Sequence, residues 1–211
     1  KLFSEKNCLV FLNRADEFFV VSNGLGLDEH LEIQKILEKS FDIRLDISIG
    51  FGDSPFDANL KAYDGKKNKI ILNEEHKIFG FVQNSSDSKV TIMHLDVDNL
   101  TSRRKNNSPY EITSIIFGLF SKMSQYFLEK NSLTFFMGGD NFMVVASEDG
   151  KNSVQKFINM IKDNDEISLN CGIGIAHTSR EAVKLATKSL DTIREIRDSG
   201  KEKPEVYELS C

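Results

Sequence analysis

Two acidic residues stand where apolar strands give out. Asp96 follows the run Val90–Leu95, and Asp140 sits in Phe135-Phe136-Met137-Gly138-Gly139-Asp140-Asn141-Phe142-Met143. Two carboxylates and a backbone carbonyl, here that of Val97, form an all-oxygen set suited to Mg²⁺, whose remaining positions go to water and phosphate. Asp96 and Asp140 are therefore the candidate catalytic pair, and Asp96, Asp140 and Val97 the candidate metal ligands. Gly138 and Gly139 let the backbone turn sharply and approach a phosphate or a base. Taken alone, Gly-Gly-Asp is a common turn. It gains meaning only if the fold brings Asp96-x-Asp98 beside it; the competing reading is a plain hairpin with a capping Asp on the neighbouring strand. Asp98 and Asn99 read either as a further metal ligand and a base or ribose contact, or as caps of the following turn. Asn141 joins the glycines as a nucleotide-contact candidate. Arg194 reads either as a basic group reaching a polyphosphate or as a solvated charge on a helix face. Gly172-Ile173-Gly174 lies inside a strand and opens no helix, so it reads as close packing rather than a phosphate loop.

The elements that must position these residues emerge from an internal repeat. A shift of 124 positions lays Asn7-Cys-Leu-Val-Phe11 on Asn131-Ser-Leu-Thr-Phe135, and Asp16-Glu-Phe18-Phe-Val20-Val21 on Asp140-Asn-Phe142-Met-Val144-Val145. The same ungapped shift pairs Ile49-Gly50 with Ile173-Gly174, and Ala58 and Ala62 with Ala182 and Ala186. Matching blocks in one register point to a duplicated domain. Each copy reads as strand, tight turn, strand, helix, strand, helix. The apolar runs flanking Gly-Gly-Asp-Asn signal a hairpin. Val154, Phe157, Ile158 and Ile161 form a helical stripe, Ile167–Ala176 a buried strand, and Ala182, Leu185, Ala186, Leu190 and Ile193 one face of a last helix. A strand over Val90–Leu95, and a helix opened by Ser108-Pro109, precede the second copy. The order βαββαβ predicts an α+β fold of tandem ferredoxin-like, palm-type domains, with antiparallel sheets and helices on one face. The expected division is 1–63 for a first palm-like domain, 64–88 for an exposed connector and 89–211 for the catalytic domain. The strand and helix before the second copy have no counterpart ahead of Lys1, so the first domain is expected to lack its first strand and helix. Its hairpin, Asn13-Arg14-Ala15-Asp16-Glu17, keeps the acid and loses both glycines. It either donates Arg14 or Asp16 across a pseudo-twofold interface or serves structure alone.

Composition removes several classes. The 211 residues are 40% hydrophobic, enough for one or two ordinary domains. No apolar run approaches a membrane span. The formal charge of −5 opposes broad nucleic-acid binding, and the short cluster Arg103-Arg104-Lys105 reads as a solvated loop. Three scattered cysteines (Cys8, Cys171, Cys211) argue against a disulfide framework and against structural zinc, and fit a cytoplasmic protein. The four histidines (His30, His76, His94, His177) show no ligand spacing, and each reads as an ordinary surface or core residue.

The segments His94-Leu95-Asp96-Val97-Asp98-Asn99-Leu100-Thr101, Phe135–Met143, Gly172-Ile173-Gly174-Ile175 and the helix carrying Leu185, Ala186, Leu190 and Arg194 resemble those of the GTP cyclohydrolase III family, also called type IIa. That family is a GGDN-motif relative of the GGDEF palm domains, and the resemblance covers nearly the whole chain. It implies Mg²⁺-dependent hydrolysis of GTP: water attacks C8 of guanine, the imidazole ring opens with the formyl group retained, and two phosphates leave. The product implied is 2-amino-5-formylamino-6-(5-phosphoribosylamino)pyrimidin-4(3H)-one, a precursor of riboflavin and the deazaflavin cofactor. A homo-oligomer is expected. Two other readings remain open. A diguanylate or nucleotidyl cyclase would use the same two carboxylates, although Asn141 stands where its signature carries an acid. A non-catalytic GTP sensor would suit the degenerate first copy.

Overall fold

The computed structural model describes residues 1–82, 88–98 and 105–211. Asn99, Leu100, Thr101, Arg103 and Arg104 lie outside the described residues. The first copy comprises α1 (Leu2–Glu5), β1 (Leu9–Arg14), β2 (Glu17–Val21), α2 (Leu27–Phe41), β3 (Ile47–Ile49), α3 (Pro55–Lys67), β4 (Ile71–Asn73) and β5 (Ile78–Gly80). The second comprises β6 (Val90–Val97), α4 (Pro109–Leu128), β7 (Leu133–Gly138), β8 (Asn141–Ala146), α5 (Glu148–Asp165), β9 (Leu169–Ala176), α6 (Ser179–Asp198) and β10 (Val206–Ser210).

Local chemistry sets the helix starts of the second copy. Ser108 Oγ accepts from the Glu111 amide at 3.3 Å while Glu111 accepts from the Ser108 amide at 2.6 Å, a capping box with Pro109 in the first turn. Ser147 and Thr178 cap α5 and α6 in the same manner. The sheet runs β10-β9-β6-β8-β7, with β6 at its centre, antiparallel to both β8 and β9. Alternation along β6 gives it two apolar faces. Met93, Leu95 and Val97 join Phe142, Val144, Leu169 and Cys171 beneath α4 and α5, around Met123, Phe127 and Phe157. Each such fully buried side chain contributes about 1.5–3 kcal/mol of transfer free energy. Val90 and Ile92 face the other way, towards Ala182 and Ala186 of α6.

Two expected details are corrected here. The helices divide between the faces of the sheet, with α6 opposite α4 and α5. Gly172 and Gly174 have no side chain on the α6 face, and a methyl on either would overlap α6 backbone: Ala186 O and Leu190 N for Gly172, Ala182 O and Ala186 N for Gly174. The helix can therefore lie directly on the strand. The sheet is also not wholly antiparallel, because β10 runs parallel to β9 (Val206↔Cys171).

The repeat is visible in three dimensions. The shift of 124 carries β1 onto β7 and the start of α3 onto that of α6. Irregularities in the hairpins fall at matched places, Leu12/Arg14 and Phe136/Gly138. Gly50 meets the backbone of Ala58 and Ala62 as Gly174 meets that of Ala182 and Ala186. Residues 64–88, read as a connector, contain the end of α3 and both β4 and β5, and β5 pairs parallel with β3 as β10 does with β9. The copies differ at the centre. β1-β2 and β3-β5-β4 form separate sheets, whereas β6 joins the matching strands in the second copy. Phe18 is accordingly 61% exposed, while its counterpart Phe142 is fully buried.

The copies meet about a pseudo-twofold axis. Phe11 and its own counterpart Phe135 stack with centroids 4.0 Å apart and planes within 5°. The Arg180 amide donates to Asn7 O at 3.2 Å, and the matched Phe56 amide donates to Asn131 O at the same distance. Such reciprocity is what an isologous interface requires.

Candidate active site

β6 and β8 place Asp96 next to the Gly-Gly-Asp hairpin. Asp96 pairs across the ladder with Asn141, the residue that follows Asp140. Gly138 and Gly139, at φ +100° and +63°, make the turn that carries Asp140 out from β7, a backbone that side chains resist. Asp96 is 7% exposed. Its Oδ2 accepts from Arg194 Nη2 at 2.6 Å, and Arg194 also donates to Asp191 at 3.0 Å. Its Oδ1 is buried and has no hydrogen-bond partner among the described residues, which costs a carboxylate several kcal/mol unless something supplies positive charge.

The structure separates the candidates by what already holds them. Arg194 is no solvated helix charge: it lies against Asp96. Burial alone would lower its pKa, but the Asp96 and Asp191 carboxylates outweigh that and hold it raised. Asp98 is gripped by Lys203 Nζ at 2.9 Å and Arg197 Nη1 at 3.4 Å. Burial pushes its carboxyl up, and hydrogen bonds from Lys203 and Asn170, with the charges of Lys203 and Arg197, bring it below the usual range. Val97 buries its side chain beneath α4 and α5, so its carbonyl is what it has to offer a metal. Asn99 lies outside the described residues. Among those residues no three His, Cys, Asp or Glu side chains converge as a metal cage. A two-carboxylate site matches an ion that keeps water and phosphate in its shell, as Mg²⁺ does.

His94, which the spacing of histidines left as an ordinary residue, is one residue beside the candidate site that sequence reasoning missed. It precedes Asp96 by two on the same face of β6, with Nε2 3.0 Å from Asn141 Oδ1 and Nδ1 3.3 Å from Thr187 Oγ1 of α6. Burial, the largest influence, lowers its pKa, against the opposing pull of the Asn141 hydrogen bond and Asp96. The strand period places it beside Asp96, a signal that ligand spacing does not test. Lys203 and Arg197 were missed for a different reason: they are charges that only the fold directs at Asp98.

Across the hairpin, on the α4 side of the sheet, lies a cleft of about 510 Å³. Ile112, Ile116, Phe117 and Phe136 form its apolar walls, with Asn107 and Gly139 at the edge. Phe117 stands edge-on to Phe136 at 5.8 Å. Its apolar, aromatic lining suits a flat ring.

Fold and site together define an α+β domain whose central strand carries a carboxylate, with a Gly-Gly-Asp hairpin on the paired strand and cationic side chains on the last helix. The chain matches the GTP cyclohydrolase III family over residues 1–206 and belongs to that family. It is 28% identical to GTP cyclohydrolase III of Methanothermobacter thermautotrophicus, covering 91% of this chain and 78% of that one. With the enzyme of the same name from Methanobrevibacter smithii it shares 26% identity, over 94% and 80% of the two chains. Among solved structures, an EAL/GGDEF domain protein from M. capsulatus aligns at 17% identity, with a TM-score of 0.44, over 62% of this chain and 90% of that one.

Proposed function

We propose that this chain is a Mg²⁺-dependent GTP cyclohydrolase that opens the imidazole ring of guanine, keeps the formyl group and releases two phosphates. Asp96 carries the reading: a buried carboxylate with one oxygen held by Arg194 and the other without a hydrogen-bond partner among the described residues, on the strand that pairs with the Gly-Gly-Asp hairpin. Asp96, Asp140 and the Val97 carbonyl would hold the metal. When bound, Mg²⁺ neutralises phosphate charge and orients water. Arg194, and Arg197 and Lys203 around Asp98, set cations along α6 and the approach to β10, where the polyphosphate would lie. Gly139 borders both the turn and the aromatic cleft, so a nucleotide passing the hairpin can lay its base against the apolar wall that Phe117 and Phe136 form together. Asn141 orients the Asp140 carboxylate. A cytoplasmic homo-oligomer feeding riboflavin and deazaflavin synthesis belongs to the same reading. The cytoplasmic part fits two observations: no helix among the described residues is long and apolar enough to cross a membrane, and Cys8, Cys171 and Cys211 are free thiols.

Incubation with GTP and Mg²⁺ tests this directly. Ring opening abolishes guanine absorbance and releases inorganic phosphate. An intact purine with pyrophosphate release would establish a cyclase instead, and GTP bound without turnover a sensor.

A further inference from the structure

We infer that Thr187 and His94 form a positioning chain that fixes the Asn141 amide and, through it, the Asp140 carboxylate; this rests on the reading of Asp140 as part of the active site. The directions follow from chemistry. A carboxylate only accepts, so the Asn141 group 3.0 Å from Asp140 Oδ1 is its NH₂. Asn141 Oδ1 therefore faces His94, and His94 Nε2, 3.0 Å away, carries the hydrogen. With Nε2 protonated in the neutral ring, Nδ1 accepts, and the Thr187 hydroxyl at 3.3 Å donates to it. All donors point one way: Thr187 to His94, His94 to Asn141, Asn141 to Asp140.

The chain ties the β7–β8 turn to both α6 and β6, which the Arg194–Asp96 ion pair already joins to each other. Gly138 and Gly139, both at positive φ, bring no side chain that could brace Asp140 within the turn, and the Asn141 amide supplies a hold from the start of β8. The chain also accounts for the amide at position 141. Aspartate or glutamate there would satisfy His94 but present an anion to Asp140 and remove the donor to it. Serine would be too short to span the gap. His94 touches neither metal nor nucleotide in this scheme and acts through Asn141, in the manner of outer-shell partners that orient ligands in metal sites.

His94→Phe keeps the ring's bulk and deletes both hydrogen bonds, whereas His94→Gln retains one donor and one acceptor. The Phe variant should lower kcat about 10–100-fold, the usual effect of losing an outer-shell partner, with KM for GTP moved no more than about threefold. The Gln variant should stay within about fivefold of the parent. In an Asn141→Ala background the His94→Phe effect should shrink below about twofold, because the link it acts through is gone. Equal losses in Phe and Gln variants, or a Phe effect undiminished in that background, would overturn the chain and leave His94 a packing residue. If His94→Phe does not fold, Thr187→Val serves in the same cycle, and its loss should likewise disappear with Asn141→Ala. Should the parent itself leave GTP intact, the functional reading fails independently. Mn²⁺ affinity in the presence of GTP then reads the chain: His94→Phe weakens it about 10–100-fold and His94→Gln does not, whereas no difference between them overturns the proposal.

Discussion

Asp96 and Asp140 occupy different environments, and the difference assigns their roles. Asp96 is buried and clamped by Arg194, so its position is set by the protein. Asp140 sits on a glycine turn and depends on Asn141. On the proposed reading, removing the charge at Asp140 therefore removes a metal ligand without disturbing a core. Asp140→Asn should reduce turnover at least about a thousandfold, some 4 kcal/mol of barrier, with a melting temperature within a few degrees of the parent. Retained turnover in a steady-state phosphate-release assay would remove Asp140 from the metal site. At this scale the sequence was legible where spacing and residue type suffice: Asp96, the two glycines and Asp140. It was silent about the cations on Asp98, because Lys203 lies 105 positions from Asp98 in the chain and only the β9–β10 pairing brings it near.

Elements were legible through the repeat, since matched glycines and alanines carry the same packing constraint twice. That constraint has a measurable sign. Gly174→Ala drives a methyl into the Ala182 carbonyl oxygen and the Ala186 amide, both backbone atoms unable to yield locally. It should destabilise by about 3 kcal/mol, lowering the melting temperature by roughly 6–12 °C in a chain of this size. Gly118→Ala, on the exposed side of α4 with open space around it, should instead stabilise by about 0.5–1 kcal/mol. Calorimetry of the pair checks both, and equal shifts would refute the close-packing account of α6. Less legible were β4 and β5, whose three-residue strands lack a long periodic pattern, and the side of the sheet chosen by α6, which follows from what glycine omits.

The edge strand adds a pH dependence. Glu205, just ahead of β10, accepts from Lys162 at 3.0 Å and Gln155 at 2.8 Å of α5. Burial raises its carboxyl, and those partners together with the Lys203 charge overcome that and hold it below its ordinary value. A carboxyl depressed in the folded state contributes stability above its unfolded pKa of about 4.3 and loses it as pH falls through the folded value. Glu205→Gln should thus cost about 0.5–1 kcal/mol at neutral pH, and the gap to the parent should close on acidification below about pH 4. A gap that persists in urea melts at low pH would show that the contact is steric rather than ionic.

For the whole molecule, the pseudo-twofold interface makes the two copies one folding unit. Phe11 contributes to the second copy's core alongside Val90, Ile92 and Val145, and it stacks on Phe135 at the axis. The paired amide bonds from Arg180 and Phe56 then fix the copies in register. Removing either ring takes away the same contact, so Phe11→Ala and Phe135→Ala should each cost about 3–5 kcal/mol. Together they should cost less than the two losses added, with a coupling of roughly 0.5–3 kcal/mol as expected for residues in contact. Both single variants should still unfold in one transition by fluorescence and circular dichroism, because the lost surface belongs to both copies. Additive losses, or a Phe11→Ala protein melting in two steps with the later one unmoved, would mean that the copies are stable separately and merely touch at the axis.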